Sequence, residues 1–213
     1  MNPASERSRT GVSGAVLLGG ASRRMGRDKA SLPIGGVAGA ERIARVLARL
    51  CDEVLLVGGT PPPGAQGRVV ADPEGPRCAL RGLVAALDAA AGSRVLVVAT
   101  DLPLVSRGLL EALLAAEPAD AVVPKPGLAQ PLCAVYRRAS VLPIARARLA
   151  AGNLALRSLL DALEVRSVEG AALAALDPEG RALSNLNTPE DHARAEAWLA
   201  ARREGRRESG SEG

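Results

Sequence analysis

The segment Ala15-Val16-Leu17-Leu18-Gly19-Gly20-Ala21-Ser22-Arg23-Arg24-Met25-Gly26-Arg27-Asp28-Lys29 runs from an apolar stretch straight into paired glycines and a cluster of cations. Over Gly19 to Lys29, four basic residues (Arg23, Arg24, Arg27 and Lys29) stand against Asp28 alone, a local charge of +3. Paired glycines let backbone N–H groups approach an anion with no Cβ in the way, and in open α/β sheets the ligand crevice lies outside the carboxyl ends of the strands. A loop of this kind suits a phosphate-bearing ligand. It fits neither of the two commoner phosphate loops, because G-x-x-x-x-G-K-[ST] and G-x-G-x-x-G both fail on these residues. The plainer alternative is a tight turn with solvated arginines. Lysine usage weighs against that alternative. Of the 27 basic residues only Lys29 and Lys125 are lysine and the other 25 are arginine. A chain that writes its positive charge as arginine keeps a compact ammonium at position 29, where a flexible point charge suits phosphate better than a planar fork. The same reasoning reaches Lys125, between Pro124 and Pro126, with an exposed loop lysine as the alternative.

A second candidate is Val95-Leu96-Val97-Val98-Ala99-Thr100-Asp101-Leu102-Pro103, a strand pattern that ends in an acid. Mg²⁺ takes one or two carboxylates together with substrate phosphate oxygens, so Asp101 is the candidate metal ligand. A helix N-cap or turn before Pro103 is the alternative. Asp72 supplies another acid after the Arg68 to Val70 stretch, although Asp-Pro is also a common turn start. Farther on, Gln130-Pro131-Leu132 leads into a strand, and Asn185-Leu186-Asn187-Thr188-Pro189-Glu190-Asp191 leads into a helix. The two asparagines suit sugar hydroxyls or phosphate oxygens, while a capping turn explains Asn187 and Thr188 equally well. His192 falls in the first turn of that helix, where a solvated position is expected.

Composition removes several other chemistries. With His192 as the only histidine, the chain cannot build a multi-histidine zinc site. Cys51, Cys78 and Cys133 spell neither a C-x-x-C pair nor a disulfide framework, and are expected to be buried small hydrophobes. Tyr136 and Trp198 are the only aromatics, too few for the stacking platforms of single-stranded nucleic-acid binders, so no nucleic-acid partner is expected. No apolar run approaches the roughly 18 residues of a spanning helix, and the run Gly14 to Leu18 is too short for a signal-peptide core. A cytoplasmic protein with no membrane partner is therefore expected. The stretch Arg202 to Gly213 holds four arginines and three glutamates with no apolar residue and is expected to be a frayed end. The division is one domain over 1–204 and a disordered tail over 205–213, since about 100 to 200 residues make one domain.

The elements that must position these residues follow from periodicity. Apolar runs predict strands over Gly14 to Leu18, Glu53 to Val57, Arg68 to Val70, Arg94 to Ala99, Ala121 to Pro124, Leu132 to Tyr136 and Val165 to Val168. Helical spacing predicts helices over Ala40 to Leu50, Leu80 to Ala91, Ser106 to Ala116, Ala139 to Ala150 and Leu156 to Leu163. In the first helix Ile43, Val46, Leu47 and Leu50 form the apolar stripe and Arg42, Arg45 and Arg49 the other side. A final helix opens at Thr188 as N-cap and Pro189 as first helical residue. Such alternation predicts an α/β fold with a mostly parallel sheet and helices on its faces.

Taken together these segments resemble the nucleotidyltransferase family with the signature L-A-G-G-x-x-x-R-M-G-x-D-K, and within it the molybdenum cofactor guanylyltransferases. Leu17-Leu18-Gly19-Gly20 and Arg24-Met25-Gly26-Arg27-Asp28-Lys29 carry the match. Asp72, Gly75-Pro76, Thr100-Asp101-Leu102-Pro103, Gln130-Pro131 and Asn185-Leu186-Asn187-Thr188-Pro189-Glu190-Asp191 follow in the family's order. The resemblance implies a Rossmann-like three-layer sandwich. It also implies nucleotide contacts from Leu17, Leu18, Gly19, Gly20, Lys29, Asp72 and Asp101, with Lys29, Arg24 and Asp101 as the catalytic set and Mg²⁺ on Asp101. The implied reaction is transfer of GMP from GTP to the terminal phosphate of molybdopterin, with molybdoenzymes or their chaperones as recipients. The rival expectations are a cytidylyltransferase acting on the same pterin, transfer to another phosphorylated acceptor, or a non-catalytic GTP-binding adaptor. Three departures stand out: Leu18 in place of the usual alanine, the stretched turn Gly75-Pro76-Arg77-Cys78-Ala79-Leu80-Arg81-Gly82, and Gly58-Gly59 where some members place an asparagine.

Overall fold

The computed structural model describes residues 10–19, 33–71, 74–75 and 78–209, the last few of these by backbone alone. Its centre is a seven-stranded sheet built from β1 (Val12–Leu17), β4 (Glu53–Val57), β5 (Arg68–Val70), β6 (Arg94–Ala99), β7 (Ala121–Pro124), β8 (Cys133–Arg137) and β9 (Val165–Val168). The spatial order is β5-β4-β1-β6-β8-β7-β9. β1 is buried along its whole length, as a strand covered on both faces must be. It pairs in parallel with β4 and β6, with Leu17 opposite both Val57 and Ala99. β8 alone runs against its neighbours, between β6 and β7. The α/β class and mostly parallel sheet expected from the sequence are thus observed. A short hairpin, β2 (Pro33–Ile34) with β3 (Val37–Ala38), stands apart from the sheet.

Side chains that alternate along β1 go to opposite cores. Val12, Val16 and Leu18 meet α1 (Gly39–Leu47), α3 (Arg107–Ala115) and α6 (Gly170–Leu176) on one face. Ala15 and Leu17 meet α2 (Ala79–Ala89), α4 (Arg138–Ala150) and α5 (Leu156–Leu160) on the other. This makes three layers. The stripe expected on α1 packs as read, with Ile43 and Leu47 fully buried and Val46 and Leu50 half-buried. The close approach needs Gly14, where a Cβ would stand 3.0 Å from that of Leu47. Cys133 is buried and Cys51 partly so, and burial pushes both thiols up to about 12, helped at Cys51 by Asp52. They behave as the small hydrophobes expected.

The last helix, α7 (Pro189–Ser209), is capped by Thr188, whose Oγ1 accepts from the Asp191 N–H at 3.1 Å. Asp191 reaches back to the N–H groups of Asn187 and Thr188, both at 2.9 Å, a reciprocal cap of two orphan donors. Its helical backbone runs past residue 205, into the segment read as a tail. Among the described residues no helix is long and apolar enough to cross a membrane.

The amino-terminal edge of the sheet is closed by carboxylates. Ser13, fully buried, donates to Glu53 Oε1 at 2.6 Å, and the same oxygen accepts from the Ala91 N–H at 2.7 Å. Arg68 reaches Oε2 at 3.1 Å. Burial works to raise the Glu53 pKa, but the bonds from Ser13, Ala91 and Arg68 outweigh it and hold the carboxyl below its ordinary 4.5. Ser13→Ala and Glu53→Gln are each expected to cost about 1–3 kcal/mol of stability, read by urea denaturation at neutral pH. A depressed carboxyl stabilises fully above its ordinary value and loses that contribution as pH falls through the lowered one. The gap between wild type and Glu53→Gln should therefore close as pH falls below 4.5. A gap independent of pH would refute the assignment.

Candidate active site

β1 sits at the point where strand order reverses. The chain leaves it toward β4 and β5 on one side, then crosses back to β6 on the other. Ligands in open α/β sheets bind outside the carboxyl ends of the strands at such a switch point. Beyond the ladder, the Leu18 N–H donates to Val57 O at 2.8 Å and the Thr100 N–H donates to Leu17 O at 3.2 Å. These two bonds carry the backbone of β1 past its ladder toward the exposed Gly19 and fix Thr100, which precedes Asp101, beside Leu17. Leu17 and Leu18 are both buried, one in each core, so only their backbones face the crevice. Gly20, Arg24, Lys29 and Asp72 lie outside the described residues.

Asp101 is no helix cap. Ser106 caps α3, its Oγ accepting from the Leu109 N–H at 3.2 Å. The turn after β6 is closed by a backbone bond, Leu102 N–H to Ala99 O at 3.1 Å. Asp101 is half-buried, with Oδ1 shielded from solvent. Its carbonyl accepts from the Leu186 N–H at 2.9 Å, which draws the Asn185-Leu186-Asn187 segment to the same strand end. Among the described residues no three His, Cys, Asp or Glu gather into a metal cluster. The carboxylate of Asp101 is a hard donor, which suits an ion such as Mg²⁺ that completes its shell with phosphate oxygens and water.

The hairpin of β2 and β3 is held by α7. The backbone N–H of Gly35 donates to Glu196 Oε1 at 2.8 Å, and the His192 ring meets the Pro33 carbonyl at 2.7 Å. A carbonyl only accepts, so Nε2 of His192 is the donor. The solvated position expected for His192 is therefore corrected: its ring ties the hairpin to the last helix.

One cation escaped the sequence reading. Arg81 stands in the first turn of α2, which begins at the same edge of the sheet, and is only 9% exposed. Its guanidinium lies against Gly75, where a Cβ would fall 2.5 Å from Nη2 and φ is +118°. In the sequence Arg81 lies in the stretch Gly75 to Gly82 that departs from the family pattern, and from Ala79 on that stretch is helix.

Two of the departures from the family pattern meet in space. Gly58 and Gly59 follow β4 with φ of +70° and +60°, and a Cβ on Gly59 would stand 3.3 Å from that of Leu18. Alanine at 18 would keep that Cβ, so the glycine at 59 is required by its backbone and by this approach whatever the size of residue 18. Gly59→Ala is expected to cost about 1–2 kcal/mol from the left-handed backbone alone, read by urea denaturation, and Leu18→Ala should not relieve it. A Gly59→Ala chain as stable as wild type would refute the assignment.

Comparison with known proteins agrees with this geometry. The family model of the MobA-like NTP transferase domain matches residues 14–168. A protein named probable molybdenum cofactor guanylyltransferase, from Chloroflexus aggregans, is 38% identical over 199 residues, covering 88% of this chain and 95% of its own. The crystal structure of molybdopterin-guanine dinucleotide biosynthesis protein A from Archaeoglobus fulgidus superposes with a TM-score of 0.74 at 25% identity, covering 89% of this chain and 99% of that one. The fold is also that of 2-C-methyl-D-erythritol 4-phosphate cytidylyltransferase from Thermus thermophilus, with a TM-score of 0.67 at 23% identity over 87% of this chain and 98% of the other. The chain belongs to the MobA-like NTP transferase family and is a nucleotidyltransferase.

Proposed function

We propose that the protein transfers GMP from GTP to the terminal phosphate of molybdopterin, forming molybdopterin guanine dinucleotide and pyrophosphate. The observation that carries this reading is the pairing of Leu17 with Ala99, which sets the start of the glycine-rich basic segment beside Asp101. Names of relatives at 38% and 31% identity, both molybdenum cofactor guanylyltransferases, support the choice of nucleotide and acceptor.

An oxygen of the acceptor phosphate forms the new bond to the α-phosphorus of GTP, and the bond from that phosphorus to the bridging oxygen of the β-phosphate breaks. Pyrophosphate takes that electron pair. The acceptor needs no general base, because a phosphate monoester with a second pKa of about 6 is already largely ionised at neutral pH. The protein's task reduces to alignment and charge compensation. Leu17 and Leu18 lead the chain to the nucleotide, and because the Leu18 N–H is engaged by Val57 O the backbone contacts begin at Gly19 and Gly20, with Asp72 as a further nucleotide contact. Lys29 and Arg24 offset the charge that gathers on the leaving pyrophosphate. Arg81 adds a buried positive charge at the same sheet edge. Asp101 would hold Mg²⁺, which when bound neutralises phosphate oxygens as a Lewis acid.

Asp101→Ala and Lys29→Ala are expected to fold normally and to lower pyrophosphate release from GTP and molybdopterin by about a hundredfold or more. Near-normal turnover in both variants would end the proposal. The shared cytidylyltransferase fold leaves base choice to the loops, so a thermal-shift series with GTP, CTP, ATP and UTP, with and without Mg²⁺, tests specificity directly. GTP with Mg²⁺ should give the largest shift. A preference for CTP would overturn the guanylyl assignment, and GTP binding without pyrophosphate release would identify an adaptor instead.

A further inference from the structure

Lys125 finds no role in the nucleotide half of the site, yet the sheet carries it to the same edge. Val122 of β7 and Leu96 of β6 both pair with Val135 of β8. Three residues on, Lys125 is level with Ala99, two strand spacings or about 10 Å away. Its backbone is fixed there, its N–H donating to Val168 O at 2.9 Å. Beside it opens a pocket of about 380 Å³, a size that suits a ring system. Leu173, Leu183 and Pro126 supply apolar walls, and Lys125 is its only cation. At Gly127, Gly170 and Gly180 nothing stands within 4 Å of where a Cβ would be, which leaves the walls low.

The pocket is also joined to Asp101 by a second route. Both oxygens of Asp177 accept backbone N–H groups, from Arg181 at 2.9 Å and Ala182 at 3.0 Å, and so set the loop that carries Leu183. Three residues later the Leu186 N–H donates to the Asp101 carbonyl. Three residues span at most about 11 Å. Two independent measures therefore place the pocket within one small molecule's length of Asp101.

We infer that this pocket, walled by Leu173, Leu183 and Pro126 with Lys125 as its cation, is the acceptor subsite: it receives the flat fused ring of the phosphorylated pterin while the phosphate reaches toward Asp101. This rests on the acceptor proposed above. Lys125 now pairs with Glu169 at 3.1 Å, with both side chains about half exposed. An exposed pair of this kind contributes little, so an oxygen of the ring system displaces Glu169 readily.

Equilibrium binding of hydroxymethylpterin phosphate to the full chain, followed by the pterin's own fluorescence, tests the subsite without turnover. Lys125→Ala is expected to weaken binding about tenfold, as loss of one charge-assisted contact would. Glu169→Gln, which removes the competing carboxylate, should tighten it. Ala174→Trp, at an exposed position that lines the pocket, should abolish it without touching the core. GTP-induced thermal shifts should stay at the wild-type value in all three. Failure of the wild-type chain to bind the pterin, or unchanged binding in Lys125→Ala and Ala174→Trp, would overturn the inference. Pterin binding with the expected variant pattern but no pyrophosphate release from GTP and molybdopterin would uphold the subsite and refute the guanylyl-transfer reading instead.

Discussion

The parallel pairing of β1 with β6 is the constraint on which the site depends. It sets Leu17 against Ala99 and ends in the bond from the Thr100 N–H to Leu17 O. One strand then leads to Gly19 and its neighbour to Asp101, both at the carboxyl edge. Burial of β1 on both faces makes the register costly to slip, because a one-residue shift would exchange the side chains of the two cores. The position of the strand-end acid proposed to hold the metal is thus a consequence of packing along β1.

The two edges of the sheet divide the work. At the amino-terminal edge Asp52 accepts from the N–H groups of Thr10 and Gly11, and Glu53 gathers Ser13, Ala91 and Arg68. Such bonds satisfy backbone and buried hydroxyl groups and hold the strands in line. At the carboxyl edge backbone bonds such as Leu102 N–H to Ala99 O and Leu186 N–H to Asp101 O shape the turns. The last helix links the halves, gripping the hairpin at Pro33 and Gly35 while the segment before it reaches Asp101.

Much of this was legible in the sequence because local pattern decides it. The runs at Glu53–Val57, Arg68–Val70, Arg94–Ala99, Ala121–Pro124 and Val165–Val168 have the bounds read from apolar clustering, each stopped by polar or turn residues. The hairpin was missed because two-residue strands around Gly35-Gly36 have no period to detect. The direction of β8 was invisible for a different reason: its apolar run is the same whichever way it pairs, and only the short link from β7 turns it back. Asp101 could be read as a strand-end acid, whereas the burial of Arg81 arises from its meeting with Gly75. His192 was misjudged because its partner, Pro33, is 159 residues away.

Where a bound triphosphate meets the protein is open to direct measurement. With Mn²⁺ in place of Mg²⁺, electron–nuclear double resonance reads the coupling between the ion and the phosphorus atoms of bound GTP. Strong phosphorus coupling is expected in the wild-type chain, and its loss in Asp101→Asn while GTP still binds. An ion that couples to the phosphates equally well in that variant would mean that the strand-end carboxylate is not what holds it.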